Sequence, residues 1–323
     1  MGLTNFPGGV SSMGLPVIGS GGMIPPGPGK VFFVDYTNGS DGNSGLSMTT
    51  PFKTVEYAYS QTTSGNDDIV ALMGSATHVL SAMLDVSNSR VHFIGIDGTN
   101  GRLYGQNARV SLTATSGATN VFTMKNTGVR NSFTNIKWMN ASTVAEGLYC
   151  VGEGGEYAVY TNCEFYKSTD LNETTAAELV LNGDSAQFVG CTFGSLADLL
   201  VGDIIRPCVE LTNGTVAAGK VTRDSTMIDC MFWRQLAGTA GVFIRAAASG
   251  DVERMLLLQN PTFVAANLGS TPAVCISSAT LTDGWIAVNN PAGFNVTKIA
   301  TATGVLVNGA APNSGTGIAV NAV

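Results

Sequence analysis

The chain has 323 residues, of which 44% are hydrophobic and 12% charged, with a net charge of −7 and 40 glycines. That apolar content excludes a disordered chain. Glycine at about 12%, against a usual roughly 7%, with no Gly-X-Y period, indicates a turn-rich β protein and excludes collagen. The 16 Lys and Arg are scattered, so no nucleic acid is expected as a partner, and no apolar run is long enough to predict a membrane span.

In chain order, residues 1–29 contain no charged residue. They show neither the positive start nor the continuous apolar stretch of a signal peptide, and they cannot form a core of their own. Residues 1–30 are therefore read as an extended arm that anchors the protein in a larger assembly, with Phe6, Pro7, Leu15, Val17, Ile18, Met23, Ile24 and Pro25 as the contact residues. Residues 31–80 read as a cap. They comprise a strand at Val31–Tyr36, a loop over Thr37–Thr50, a short helix from Pro51 to Tyr59 with an apolar stripe Phe52, Val55, Tyr59, and strands at Asp68–Met73 and His78–Leu80.

Residues 81–300 carry a weak internal repeat. Six segments align: Phe133–Trp138, Tyr160–Phe165, Phe188–Phe193, Met227–Phe232, Leu258–Phe263 and, with one extra residue, Val288–Phe294. Their closing aromatics are 27, 28, 39, 31 and 31 residues apart. The third position is Asn, Asn, Gly, Asp, Asn, Asn, the residue types that enter left-handed backbone angles at least cost, so the chain bends there between two short strands. A bend recurring at such steps describes one coil of a solenoid whose like positions stack into ladders. The expected core ladders are Cys163, Cys191 and Cys230, and Trp138, Phe165, Phe193, Phe232 and Phe263. Tyr166 and Trp233, each next in sequence to a ladder aromatic, are expected to face outward as surface contacts. Residues 301–323 are assigned to a last coil or cap with oligomer contacts. Val91–Ile96 matches the repeat only in part.

The six cysteines form no C-x-x-C pair, and His78 and His92 are far apart, so they read as reduced core residues, with no metal or other cofactor expected. The stretch Phe33-Val-Asp-Tyr-Thr-Asn-Gly-Ser-Asp-Gly-Asn-Ser-Gly-Leu-Ser with Thr50-Pro-Phe-Lys-Thr-Val resembles the opening of pectate-lyase-like right-handed β-helix proteins. The leader Met1–Ser12 resembles the start of structural proteins of tailed-phage virions. The resemblance implies an all-β, right-handed parallel β-helix with a short N-terminal capping helix and an extended arm. It also implies a homotrimer as the association state.

The fold alone does not decide activity. No G-x-S-x-G, H-E-x-x-H or phosphate-loop motif occurs. Asp67-Asp68, the one adjacent acidic pair, reads as the solvated start of a strand in preference to a metal or catalytic pair. Eleven acids against Lys167 and Arg206 between Glu146 and Glu210 read as a solvated acidic face, ahead of a glycan-cleaving groove. After Arg254 only Asp283 and Lys298 are charged, whereas free surfaces are usually about a quarter charged or more. Both ends are therefore expected to contact protein. The favoured reading is a non-enzymatic structural protein of a bacteriophage virion. On that reading it is a trimeric capsid decoration protein, made in the host cytoplasm and docked on the major capsid protein or another virion protein. A tailspike-like protein that binds or depolymerises host glycan is the alternative, and a secreted lyase the third.

Overall fold

The computed structural model describes residues 29–96, 108–113, 122–142, 147–167, 176–194, 206–234, 241–265, 274–300 and 304–308, and the backbone of 11–12 and 15–16. Apart from the antiparallel pairing of Ser11–Ser12 with Leu15–Pro16, the described strands form three parallel sheets of ten, eight and seven strands. One coil passes through each sheet in turn. Tyr149–Glu153 lies in the seven-stranded sheet, Val159–Thr161 in the ten-stranded sheet and Glu164–Lys167 in the eight-stranded sheet. The next coil repeats the order with Ala177–Leu181, Gln187–Val189 and Thr192–Phe193. The fold is a parallel β-helix. Its ten-stranded sheet runs from Val31–Val34 to Val305–Asn308 and includes Val91–Gly95 as the third strand.

The repeat maps onto this stack position by position. All six third-position residues have positive φ: Asn135 57°, Asn162 51°, Gly190 62°, Asp229 52°, Asn260 50° and Asn290 52°. Trp138, Phe165, Phe193, Phe232 and Phe263 are fully buried and in register. Successive rings from Phe165 to Phe263 stack at 4.9, 5.1 and 5.0 Å. The first position forms a second stack through Phe133, Tyr160 and Phe188, at 4.6 and 4.7 Å. The cysteines between the two stacks are buried and unpaired as disulfides. Each thiol of the ladder donates to a first-position carbonyl of the preceding coil: Cys163 to Phe133 at 3.4 Å, Cys191 to Tyr160 at 3.5 Å and Cys230 to Phe188 at 3.5 Å.

Two local expectations change. The helix spans Val55–Ser60 and does not begin at Pro51. Phe52 bridges to Val34, Asp41 accepts the N–H groups of Lys53 and Thr54, and the Thr54 hydroxyl accepts the Tyr57 N–H at 3.3 Å, so the N-cap falls at Thr54. In the sixth repeat the extra residue puts Gly293 opposite Phe263, and Phe294 points out, 57% exposed. A one-residue insertion in a strand moves every later side chain to the opposite face.

Candidate functional site

Most of the anchor residues, Phe6, Pro7, Val17, Ile18, Met23, Ile24 and Pro25, lie outside the described residues. Leu15 pairs through its backbone with Ser12. Tyr166 and Trp233 sit on the outward side of the eight-stranded sheet in a ladder with Met139, Val264 and Phe294, and both are half-buried. The Lys137 ammonium lies 5.3 Å from the centre of the Tyr166 ring.

The described acids of the stretch do not form a solvated face. Glu153 and Glu178 are fully buried, and Glu164 and Glu210 nearly so. The described acids are spent on partners. Glu156 pairs with Lys220, Glu164 with Lys137 at 2.6 Å, Asp184 with Arg223 at 3.4 Å and Glu210 with Arg245 at 2.7 Å. Glu178 lies between the buried guanidinium groups of Arg206 and Arg234. Glu153 accepts from Tyr160 Oη, Asn126 Nδ2 and the Gly155 N–H, while burial pushes its carboxyl up to about 7. Among the described residues no group of three or more His, Cys, Asp or Glu could hold a metal ion.

The outward face of the ten-stranded sheet carries two features that sequence reasoning missed. The first begins at Asp67. This residue is buried, contrary to the solvated start of strand expected, and so is Asp68. The two carboxylates do different work. Asp68 accepts the Lys30 and Thr63 N–H groups, each at 2.7 Å, and Asn66 Nδ2 at 2.8 Å. Asp67 is held by Arg90 through two hydrogen bonds and lies 3.3 Å from His92 Nε2. His92 Nδ1 in turn lies 2.8 Å from Ser132 Oγ. Register explains the alignment, because Ile69, His92 and Ser132 are opposite one another on three successive strands. Asp67 reaches the row because it turns with φ 57° at the corner before its strand, as Arg90 does at 55°. Burial lowers the pKa of His92, with the Asp67 carboxylate opposing that shift, and Asp67 itself is held below the usual carboxylate range by its hydrogen bonds to Arg90 and His92 against the effect of burial. Near neutral pH the ring is therefore uncharged. Nε2–H donating to Asp67 then leaves Nδ1 to accept from the Ser132 hydroxyl.

The second feature lies on the last three strands of the same face. Met255 pairs with Trp285, and Leu257 with Ala287, which pairs on its other side with Leu306. Met255, Trp285 and Leu306 are 40%, 51% and 53% exposed. Beside them runs an amide row: Asn289 Nδ2 donates to Gln259 Oε1 and Asn308 Nδ2 to Asn289 Oδ1, both at 2.8 Å. A shallow depression of about 400 Å³ lies over Leu257, Gln259, Ala287, Asn289, Leu306 and Asn308.

No protein-family model and no curated protein matches the chain. Among solved structures, a rhamnogalacturonan lyase aligns with TM-score 0.51 and 13% identity over 82% of this chain and 68% of the lyase. A pectin methylesterase in complex with a hexasaccharide aligns with TM-score 0.50 and 13% identity over 82% of this chain and 79% of its own. The Aspergillus niger pectin methylesterase aligns with TM-score 0.50 and 11% identity over 87% and 84%. At these identities the likeness shows the fold alone. It does correct the expectation of a protein without catalytic activity. These three solved chains are enzymes by name, and a missing sequence motif is no ground for excluding catalysis on the fold they share.

Proposed function

We propose that this chain is a structural β-helix protein of a bacteriophage virion, a capsid decoration subunit. On this reading it associates as a homotrimer and docks through residues 1–30 on the major capsid protein or another virion protein. The observation that carries the reading is the coincidence of two features at the C-terminal end of the solenoid. Met255, Trp285 and Leu306 stand exposed there on one face of the ten-stranded sheet, and the 69 residues after Arg254 hold only two charges. A contiguous apolar patch in a charge-poor region is the signature of a surface made to be covered by protein. The charge-free leader is the matching feature at the other end. Two experiments test this. Light scattering should give three times the chain mass, with Trp285→Ser plus Leu306→Ser reducing it to one. Deleting residues 1–29 should abolish binding to the particle while leaving the solenoid folded. A monomeric wild-type protein, or a truncated one that binds particles normally, speaks against the reading.

A second reading has its own observation. The same face carries the exposed Trp285 ring and, four residues further along its strand beyond the Leu257–Ala287–Leu306 row, the Gln259, Asn289 and Asn308 amides. Together they supply the chemistry of a sugar site, an aromatic face for the ring and planar amides for its hydroxyls. Host surface glycan is the ligand this would take. Calorimetric titration with host polysaccharide should show binding that Trp285→Ala removes. An unchanged affinity in that variant would exclude this surface.

A further inference from the structure

We propose that Asp67, His92 and Ser132 form a nucleophilic relay that cleaves esters of short carboxylic acids. This goes beyond the structural role above and is independent of it. Three observations converge on it. The three side chains form one hydrogen-bonded line, 2.8 Å from serine to imidazole and 3.3 Å from imidazole to carboxylate. The line is fixed by the sheet, because His92 and Ser132 occupy paired positions on adjacent parallel strands and both point away from the core. The line is also graded in exposure, with Asp67 and His92 buried and Ser132 half-buried at its outer end. This is the arrangement a nucleophile, its base and the group that orients the base require. The ring is used with Nδ1 toward serine and Nε2 toward aspartate. Arg90, locked on Asp67, keeps that carboxylate ionised and in place, which makes it a positioning residue.

The chemistry balances within these groups and water. Ser132 Oγ attacks the ester carbonyl carbon as its proton passes to His92 Nδ1, and the carbonyl π pair moves onto oxygen. Collapse expels the alcohol oxygen, which takes the proton from Nδ1 and leaves an acyl-serine. Water then attacks the acyl carbon, giving a proton to Nδ1, and the carboxylic acid departs as Ser132 recovers its hydrogen. Asp67 holds the imidazolium formed in each half and keeps its own charge. Arg130, exposed and two residues before Ser132 at the same corner, holds its guanidinium over the Tyr157 ring at 5.7 Å and is the cation nearest to the nucleophile along the chain. A serine standing on an open sheet suits a small acyl group, such as acetyl, carried on a larger molecule.

The test uses the full chain. A fluorophosphonate probe should label the wild-type protein once, at Ser132 by peptide mapping, and p-nitrophenyl acetate should be hydrolysed with saturation. Ser132→Ala should lose the label and bring hydrolysis to the buffer rate. His92→Gln should slow labelling at least about 100-fold. Thr134→Ala, an outward hydroxyl one position along the same face, should retain both. Circular dichroism and thermal unfolding establish that each variant is folded. Ser132→Ala removes one hydroxyl only and decides the question even if His92→Gln does not fold. Absence of labelling in the wild type, or equal hydrolysis in Ser132→Ala, overturns the proposal.

Discussion

Phe193 shows what one residue contributes to the stack. Its ring is fully buried between Phe165 and Phe232 and touches Phe188 edge-on at 5.9 Å. Phe193→Ala leaves a cavity that parallel strands on both sides cannot close, and it should cost about 3–5 kcal/mol in urea unfolding. A buried charge is less forgiving still. Glu178 lies between Arg206 and Arg234, all three fully buried, and desolvation brings the Arg234 guanidinium down to about 9. Glu178→Ala strands that positive charge in the core and should cost about 3–5 kcal/mol or prevent folding. Glu153 supplies a pH signature. Its carboxyl titrates near 7 in the folded chain against an unfolded value of 4.5, so between those values the folded state holds the proton more tightly. The group's stabilising contribution is complete below about pH 4.5 and is lost as pH rises through 7, up to about 3 kcal/mol. Glu210, also pushed up to about 7 by burial, acts in the same direction. The urea midpoint should therefore fall between pH 5 and pH 8 by less in Glu153→Gln than in the wild type.

At the scale of the element, two corners of the coil turn through positive φ and only one of them is written in residue type. The Asn-rich bend is legible because Asn, Asp and Gly are the residues that tolerate its backbone angles. Asn162→Ala, which keeps φ near 51° without that tolerance, should lower stability by about 1 kcal/mol in the same unfolding assay. The corner before the ten-stranded sheet turns through equally positive φ at Arg90, Arg130, Tyr157, Ser185 and Asp224, a set with no shared chemistry. From Arg130 onward each of the last four lies five residues before its Asn-rich bend, and Arg254, at φ 64°, lies six before Asn260. That near-constant spacing is the one signal from which the second corner could have been read. It also brings Asp67 and Arg90 to the edge of the sheet, so missing the corner meant missing the relay that Asp67 begins. The helix shows the same limit. Its apolar stripe was visible, but its first residue depends on Asp41, which is 13 residues before the Thr54 it holds.

At the scale of the molecule, stacking converts a linear sequence into faces that no local window contains. His92 and Ser132 are 40 residues apart in the chain and hydrogen-bonded in space. Met255, Trp285 and Leu306 come from three coils and form one patch. The eleven acids between Glu146 and Glu210 look like a solvated surface in one dimension, yet the coils set their described members against Lys137, Lys220, Arg206, Arg223, Arg234, Arg245 and Tyr160. The amino-acid sequence by itself determined the parallel solenoid, its bend, its cysteine and aromatic ladders and the uneven distribution of charge. Each of these arises from residue type repeated at a recognisable interval. Only the tertiary structure decided which acids are buried, which aromatics stand in solvent and which serine meets a histidine. Those depend on the register between coils, and register is set by the lengths of intervening segments that differ at almost every step.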